Sequence, residues 1–161
     1  MAINGLLTWE DGQVTLGGQL LPGVFLDQSI RGEVRFDRSK KDAQSGLHKV
    51  PMGFEDADIT IALELLCDAK SDCYQKLEII NKIFRADRNA NPMVYEVGNR
   101  HCRARGIRNV IFSGLDSYES SSDDVITATL MFVEHLPPVI RREKQATAAK
   151  KGASAPAVKA T

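Results

Sequence analysis

The clearest pattern in the chain is an alternation of apolar and polar residues over residues 57–65. The odd positions are all apolar, and Asp58, Thr60 and Glu64 stand between them. Because successive side chains of a β-strand point to opposite faces, this segment is predicted to be a strand with one buried face.

A helical period replaces this alternation after Cys67. Apolar residues recur at three- and four-residue steps at Tyr74, Leu77, Ile80, Ile83 and Phe84. We predict a helix over about residues 71–86, with Ser71 or Asp72 as its N-cap and Arg85 near its C-terminal end, where positive charge suits the helix dipole. Because a helix of this length is marginal alone, its apolar stripe is expected to pack on a sheet.

A second long strand is predicted over residues 125–134, and it ends before Pro137. Both of its faces are fairly apolar, so we expect it near the middle of a sheet. Shorter strand patterns cover residues 14–16, 20–26, 30–36, 93–97 and 102–115. Together these elements predict a mainly β (α+β) protein, an antiparallel β-barrel or β-sandwich of six to eight strands with one flanking helix.

Two segments show no period. Residues 38–52 are predicted to form a long loop, and loops of that length are commonly functional or disordered. Beyond Arg141 the chain is rich in alanine, lysine, serine and proline, and it holds almost no large apolar residue. We therefore predict one domain over residues 1–140 and a basic C-terminal tail over residues 141–161.

The charges balance overall but are unevenly distributed. The chain holds 21 basic and 21 acidic residues, so no global field indicates a nucleic-acid or membrane partner. Residues 38–49 carry four basic residues and one acidic residue, residues 141–161 carry six and one, and the rest therefore has an acidic excess of eight. Basic loops and ends on an acidic body suit self-association or docking to an acidic partner.

The sequence also indicates a compartment. It contains no apolar run of membrane-spanning length and no signal-peptide pattern at its start. Three cysteines, an odd number, without a secretion signal favour reduced thiols in a cytoplasmic setting.

The pattern of histidines and cysteines does not indicate a catalytic site. None of the three histidines, His48, His101 and His135, stands in a nucleophile motif. Cys102 adjoins His101 and Arg103, but neighbours on a strand point to opposite faces and so do not form a catalytic pair. We predict that the protein is not an enzyme, with no catalytic residue and no cofactor.

A metal site is a further possibility. Cys67, Cys73, Cys102 and His101 have the ligand types of a tetrahedral site, but five residues separate Cys67 from Cys73, which is not the usual short knuckle. This spacing favours the two cysteines as small apolar residues at a strand end and a helix start. We therefore predict no metal site.

Two charged clusters could be functional sites, but each also has an ordinary structural interpretation. Glu55, Asp56 and Asp58 could do acid–base work or hold Ca²⁺, but without a fixed ligand spacing they are better interpreted as a solvated edge or a receptor for a neighbour's lysines. Arg103 and Arg105 would share a strand face, but they lack the interleaved aromatics of a nucleic-acid site. They favour a charged sheet face or a subunit contact.

Four segments, in order, resemble one family. Residues 53–59, Gly-Phe-Glu-Asp-Ala-Asp-Ile, resemble the entry to the central strand in baseplate and tube proteins of bacteriophage tails. The other segments that agree are residues 74–78 with 83–84, residues 99–101 followed by 105–107, and residues 110–115 followed by 130–137. Over residues 17–138 the chain therefore resembles the bacteriophage tail-tube and baseplate-hub superfamily, as a contractile-tail baseplate component.

The resemblance implies a structural subunit of a phage or phage-derived tail, at the tail tube–baseplate hub junction. It implies a homo-oligomeric ring joined by intersubunit sheet pairing, with adjacent tail tube and baseplate hub proteins as partners. It also implies no membrane partner, and nucleic acid only as DNA that passes through the lumen. The expected location is the virion tail, assembled in the host cytoplasm.

Basic residues of the loop and tail are the predicted contacts with partners. They are Arg38, Lys40, Lys41, Ser45, Gly46, His48, Lys49, Arg141, Arg142 and Lys144. Two alternatives stay open: a small nucleic-acid- or protein-binding module that uses the basic loop 38–49, and an enzyme built on Cys102 or on a metal.

Overall fold

Two β-sheets and two helices form the protein in the computed structural model, which describes residues 3–40, 42–43, 45–85 and 93–137. In chain order the elements are β1 (Ile3–Glu10), β2 (Gln13–Leu16), β3 (Gln19–Leu20), β4 (Val24–Arg31), β5 (Val34–Ser39), β6 (His48–Phe54), β7 (Asp58–Leu66), α1 (Cys73–Arg85), β8 (Val94–Val97), α2 (Arg100–Ala104), β9 (Asn109–Glu119) and β10 (Val125–Glu134). The predicted tail lies outside the described residues.

The larger sheet has eight strands in the order β3-β2-β1-β8-β9-β10-β7-β4, and β5 pairs with β6 in a separate two-stranded sheet. Strands β1 and β8 run parallel, and the other neighbours run antiparallel. The predicted fold class, mainly β with a flanking helix, is confirmed, but the described residues form ten strands where six to eight were predicted, and a second, short helix is present. The larger sheet stays open, which agrees with the sandwich alternative and not with a closed barrel.

The two long strands predicted from the sequence lie next to each other. Ile59, Ile61, Leu63 and Leu65 of β7 are fully buried, as the alternation requires. Strand β10 pairs with β9 on one side and β7 on the other, which confirms its central place in the sheet. These strands hold the core on which the remaining elements pack.

Helix α1 packs on the sheet through an aromatic cluster. Phe84 stacks on Phe112 with ring centroids 5.1 Å apart, and it meets Phe132 and Tyr95 edge-on at 5.8 Å in each case. Tyr74 departs from the predicted stripe: it is exposed, and its hydroxyl donates a hydrogen bond to the Glu119 carboxylate. Neither helix in the described ranges is long and apolar enough to cross a bilayer.

The prediction of a single strand over residues 102–115 was wrong. Residues 100–104 form α2, and β9 begins at Asn109. Asn99 caps the helix, since its side chain accepts from the N–H groups of His101 and Cys102. Gly106, which has φ +77°, follows the helix in the left-handed conformation that glycine adopts readily.

The prediction of one strand over residues 30–36 was also wrong. Ile30 lies in β4 of the larger sheet, whereas Val34 begins β5 of the smaller one. The alternation of apolar and charged residues continues across Gly32, so periodicity alone does not reveal that the chain leaves the larger sheet there.

Candidate interaction surface

The segment predicted as an irregular loop belongs to a regular β-hairpin. Strands β5 and β6 pair antiparallel, and residues 40–47 connect them. Val34 is half-buried, and every other residue of the two strands is exposed. Because neither face is covered, the hairpin has no buried–exposed alternation, which is why the sequence pattern missed it.

This hairpin exposes five large apolar side chains. Phe54 is 91% exposed, and Met52 is 61% exposed. Phe36, Leu47 and Val50 are also among the exposed hydrophobic residues. An isolated two-stranded hairpin is at best marginally stable in water, and clustered exposed apolar groups mark contact sites. The hairpin therefore has the properties of a surface that another molecule covers.

The tip of the hairpin, which we define as residues 38–40, 42–43 and 45–49, is basic, since Arg38, Lys40 and Lys49 outnumber Asp42. Arg38 pairs directly with Lys49 across the two strands, and both side chains are exposed. Like charges placed opposite each other on a sheet destabilise it. An acidic group from a partner would relieve this repulsion.

The structure places most of the predicted contact residues at this tip. Ser39 pairs with His48, and Lys40, Ser45 and Gly46 lie in the exposed connection beside them. The hairpin thus brings the described members of the loop set together at one end. Lys41 and the predicted tail residues Arg141, Arg142 and Lys144 lie outside the described residues.

The base of the hairpin is acidic. Glu33, Glu55, Asp56 and Asp58 line a shallow cleft of about 160 Å³ together with Arg31. Arg31 forms an ion pair with Glu33, and both side chains are largely exposed. Glu55, Asp56 and Asp58 of this acidic base are exposed, which agrees with the prediction of a solvated edge.

The length of the hairpin separates its two charged ends. Strand β5 has six residues, and a strand rises ~3.3 Å per residue, so the basic tip lies about 20 Å from the acidic base. A lysine or arginine side chain does not span that distance. The two ends of one molecule are therefore complementary to each other but cannot meet within it.

Residues in and around α2 hold β4 in position through hydrogen bonds. Strand β4 leads directly into the hairpin. Asn99 donates to the Trp9 carbonyl at 2.9 Å, and the Trp9 indole donates to the Gln28 side chain at 2.5 Å. Gln28 in turn lies 2.9 Å from the Nδ1 atom of His101. Arg105 donates to the Ile30 carbonyl at 2.7 Å, which fastens the end of β4.

The predicted basic strand face at Arg103 and Arg105 was wrong in its geometry. Arg103 lies on α2, where it lines a cleft of about 310 Å³ with Glu96 and Arg108. Arg105 follows the helix and donates a hydrogen bond to the Ile30 carbonyl in β4. The two side chains therefore have different roles.

Cys102 has none of the properties of a reactive cysteine. It is fully buried in α2, and burial raises the pKa of its thiol to about 11, although the nearby Arg105 guanidinium acts in the opposite direction. At neutral pH the thiol is protonated, and a protonated buried thiol is a poor nucleophile. Its neighbour His101 contacts Gln28 instead.

Cys67 and Cys73 correct the expectation of free thiols. The structure joins them in a disulfide, with Cα atoms 4.6 Å apart. The intervening loop folds back because the Asp68 carboxylate accepts from the backbone N–H groups of Lys70 and Ser71. Sequence spacing alone does not reveal this reversal between the end of β7 and the start of α1.

Comparison with known proteins identifies no family. No protein-family model matches the chain, and no curated protein matches its sequence. Among solved structures, the chain is similar to one from the tail of an empty GTA particle with C6 symmetry, at 9% identity and a TM-score of 0.37, over 74% of this chain and 82% of that chain. A similarity of this size does not establish a common fold or function.

Proposed function

We propose that this protein is a structural subunit of a phage or phage-derived tail, at the junction of tail tube and baseplate hub, and that it acts by assembly and not by catalysis. The observation that carries the proposal is the exposed hairpin with a basic tip and an acidic base. The tip of one copy fits the base of the next, which is a head-to-tail contact. Head-to-tail contacts generate a ring when the rotation closes.

The open edge of the larger sheet supports a second contact between subunits. Strand β4 pairs with β7 on one side and forms one edge of the larger sheet. Val24 and Leu26 on this strand are each nearly half exposed. An exposed, partly apolar edge strand favours pairing with another chain. Pairing of β4 with a neighbouring sheet would join subunits into the proposed ring.

The family resemblance places its first segment at this surface. Residues 53–59 run from the end of β6, through the acidic base, into the central strand β7. The resembling segment thus connects the exposed arm to the core. This position suits a subunit whose arm must hold a fixed direction relative to its ring.

Electron microscopy and native mass spectrometry of the full chain test this proposal. Purified protein at rising concentration should form closed rings or stacks of one symmetry, and the assembly should include tail tube or baseplate hub proteins when these are co-expressed. A chain that stays monomeric under both conditions would contradict the proposal.

The second candidate is a small nucleic-acid-binding module. Phe36 and Phe54 are exposed on the same hairpin as Arg38 and Lys49, and aromatic side chains among basic residues are typical of single-strand binding sites. Affinity for single-stranded DNA or RNA should then fall linearly with salt on a logarithmic scale. Absence of binding at low salt excludes this candidate.

A further inference from the structure

A compact group of ligand atoms lies where β7 ends and α1 begins. The sulfurs of Cys67 and Cys73 and a carboxylate oxygen of Asp72 all lie within 4.8 Å of one another. The Asp72 Oδ1 atom is 3.5 Å from the Cys67 sulfur and 3.4 Å from the Cys73 sulfur. The three donor atoms are therefore close neighbours in space.

The loop between the cysteines is held by contacts that do not depend on the disulfide. Asp68 Oδ1 accepts from the N–H groups of Lys70 at 3.1 Å and Ser71 at 2.8 Å. Lys76 donates to Asp68 Oδ2 at 3.0 Å and to the Leu66 carbonyl at 2.6 Å. Because none of these bonds involves a cysteine, we expect them to keep the chain reversed after reduction and the two thiols close together.

The chemistry of this group suits a thiophilic metal ion. Cys73 is the first residue of the thirteen-residue helix α1, where the helix dipole favours a thiolate. Asp72 adds a carboxylate, and Cys67 and Asp72 are exposed, so an ion and a water molecule have access. Two thiolates, one carboxylate and one water form a tetrahedral set of the kind that Zn²⁺ accepts.

We propose that the reduced Cys67 and Cys73, together with Asp72, bind a thiophilic divalent cation such as Zn²⁺. The segment of residues 67–73 then exists in two forms: in one a disulfide joins the two cysteines, and in the other both cysteines bind a metal ion. Reduction of the disulfide takes up two electrons and two protons and gives two thiols. Metal binding releases both thiol protons and leaves the sulfurs as thiolates, so oxidation and metal binding exclude each other.

The test uses the full chain, reduced without air by a phosphine, which becomes the phosphine oxide. After removal of the phosphine, Cd²⁺ is added in steps, and the ultraviolet band of the cadmium–thiolate bond is measured. Native mass spectrometry after addition of Zn²⁺ gives the stoichiometry. We expect one ion per reduced chain and none on the oxidised chain.

Matched variants locate the site. Cys67→Ser removes an exposed ligand with little effect on the core, and Asp72→Asn removes the carboxylate charge at constant volume. Each should weaken binding at least about tenfold, whereas the exposed Asp116→Asn should bind like the wild type. Both variants and the wild type retain Cys102, so that thiol cannot explain a difference. Substoichiometric binding by the reduced wild type, or unchanged affinity in Cys67→Ser, would overturn the proposal.

Discussion

At the residue scale, single buried polar and sulfur atoms decide local structure. Asn99 is 6% exposed and joins α2 to β1 through three hydrogen bonds. The sequence places this residue in a family-like segment, but it does not show that the side chain reaches Trp9. That contact spans ninety residues of chain, and local patterns carry no information over such a distance.

Replacing Asn99 tests this junction. Asn99→Ala removes the cap of α2 and leaves the buried Trp9 carbonyl without its donor, and the two losses together should lower the free energy of unfolding by about 2–3 kcal/mol. Urea denaturation measures the change. Asn81→Ala, on the exposed side of α1, should change stability by less than about 0.5 kcal/mol. Equal effects of the two variants would show that the junction contributes little.

Cys102 gives a second prediction at this scale. With a thiol pKa of about 11 caused mainly by burial, the native unreduced protein at pH 8 should not react with an aromatic disulfide reagent. Unfolding in guanidinium should then release one reactive thiol per chain, because Cys67 and Cys73 are joined. Rapid reaction of the native protein would reopen the hypothesis of a cysteine enzyme.

At the element scale, the sequence predicts well those segments that bury one face. Strand β7, strand β10 and helix α1 each have a regular apolar stripe, and each lies within a few residues of its predicted position. The hairpin β5–β6 and the short helix α2 have no such stripe, because the first is exposed on both faces and the second has five residues. The parallel pairing of β1 with β8 joins strands about ninety residues apart, which periodicity does not encode.

The packing of α1 is tested by its aromatic contact. Phe84→Ala removes the ring that stacks on Phe112 and meets Phe132, and we expect a loss of about 3–4 kcal/mol in the free energy of unfolding. Ile79→Ala, on the exposed side of the same helix, is the matched control, since Ile79 is 47% exposed. Thermal or urea unfolding gives both values. A small loss for Phe84→Ala would mean that the helix is not fastened by this cluster.

At the scale of the whole molecule, the candidate site is a combination that no single segment shows. The sequence gives the basic loop and the acidic cluster separately, and it places Arg38 and Asp56 eighteen residues apart. In the folded chain these residues lie at opposite ends of the hairpin, at its basic tip and its acidic base. Complementary charges that cannot meet within one chain point to a contact between chains.

Sedimentation velocity of charge-swapped variants tests whether copies of the chain contact each other through the hairpin. Wild-type protein should associate with rising concentration, and salt should weaken the association because exposed charges are screened. The tip variant Arg38→Glu/Lys49→Glu and the base variant Glu55→Lys/Asp56→Lys should each associate more weakly than the wild type. Arg103→Glu on α2 is the control and should associate like the wild type.

The combination of tip and base substitutions in one chain is the decisive sample. It restores opposite charges across the proposed contact, so association should return toward the wild-type level. A combined variant that associates as weakly as the single variants, or a tip variant that associates as strongly as wild type, would contradict the head-to-tail contact through the hairpin.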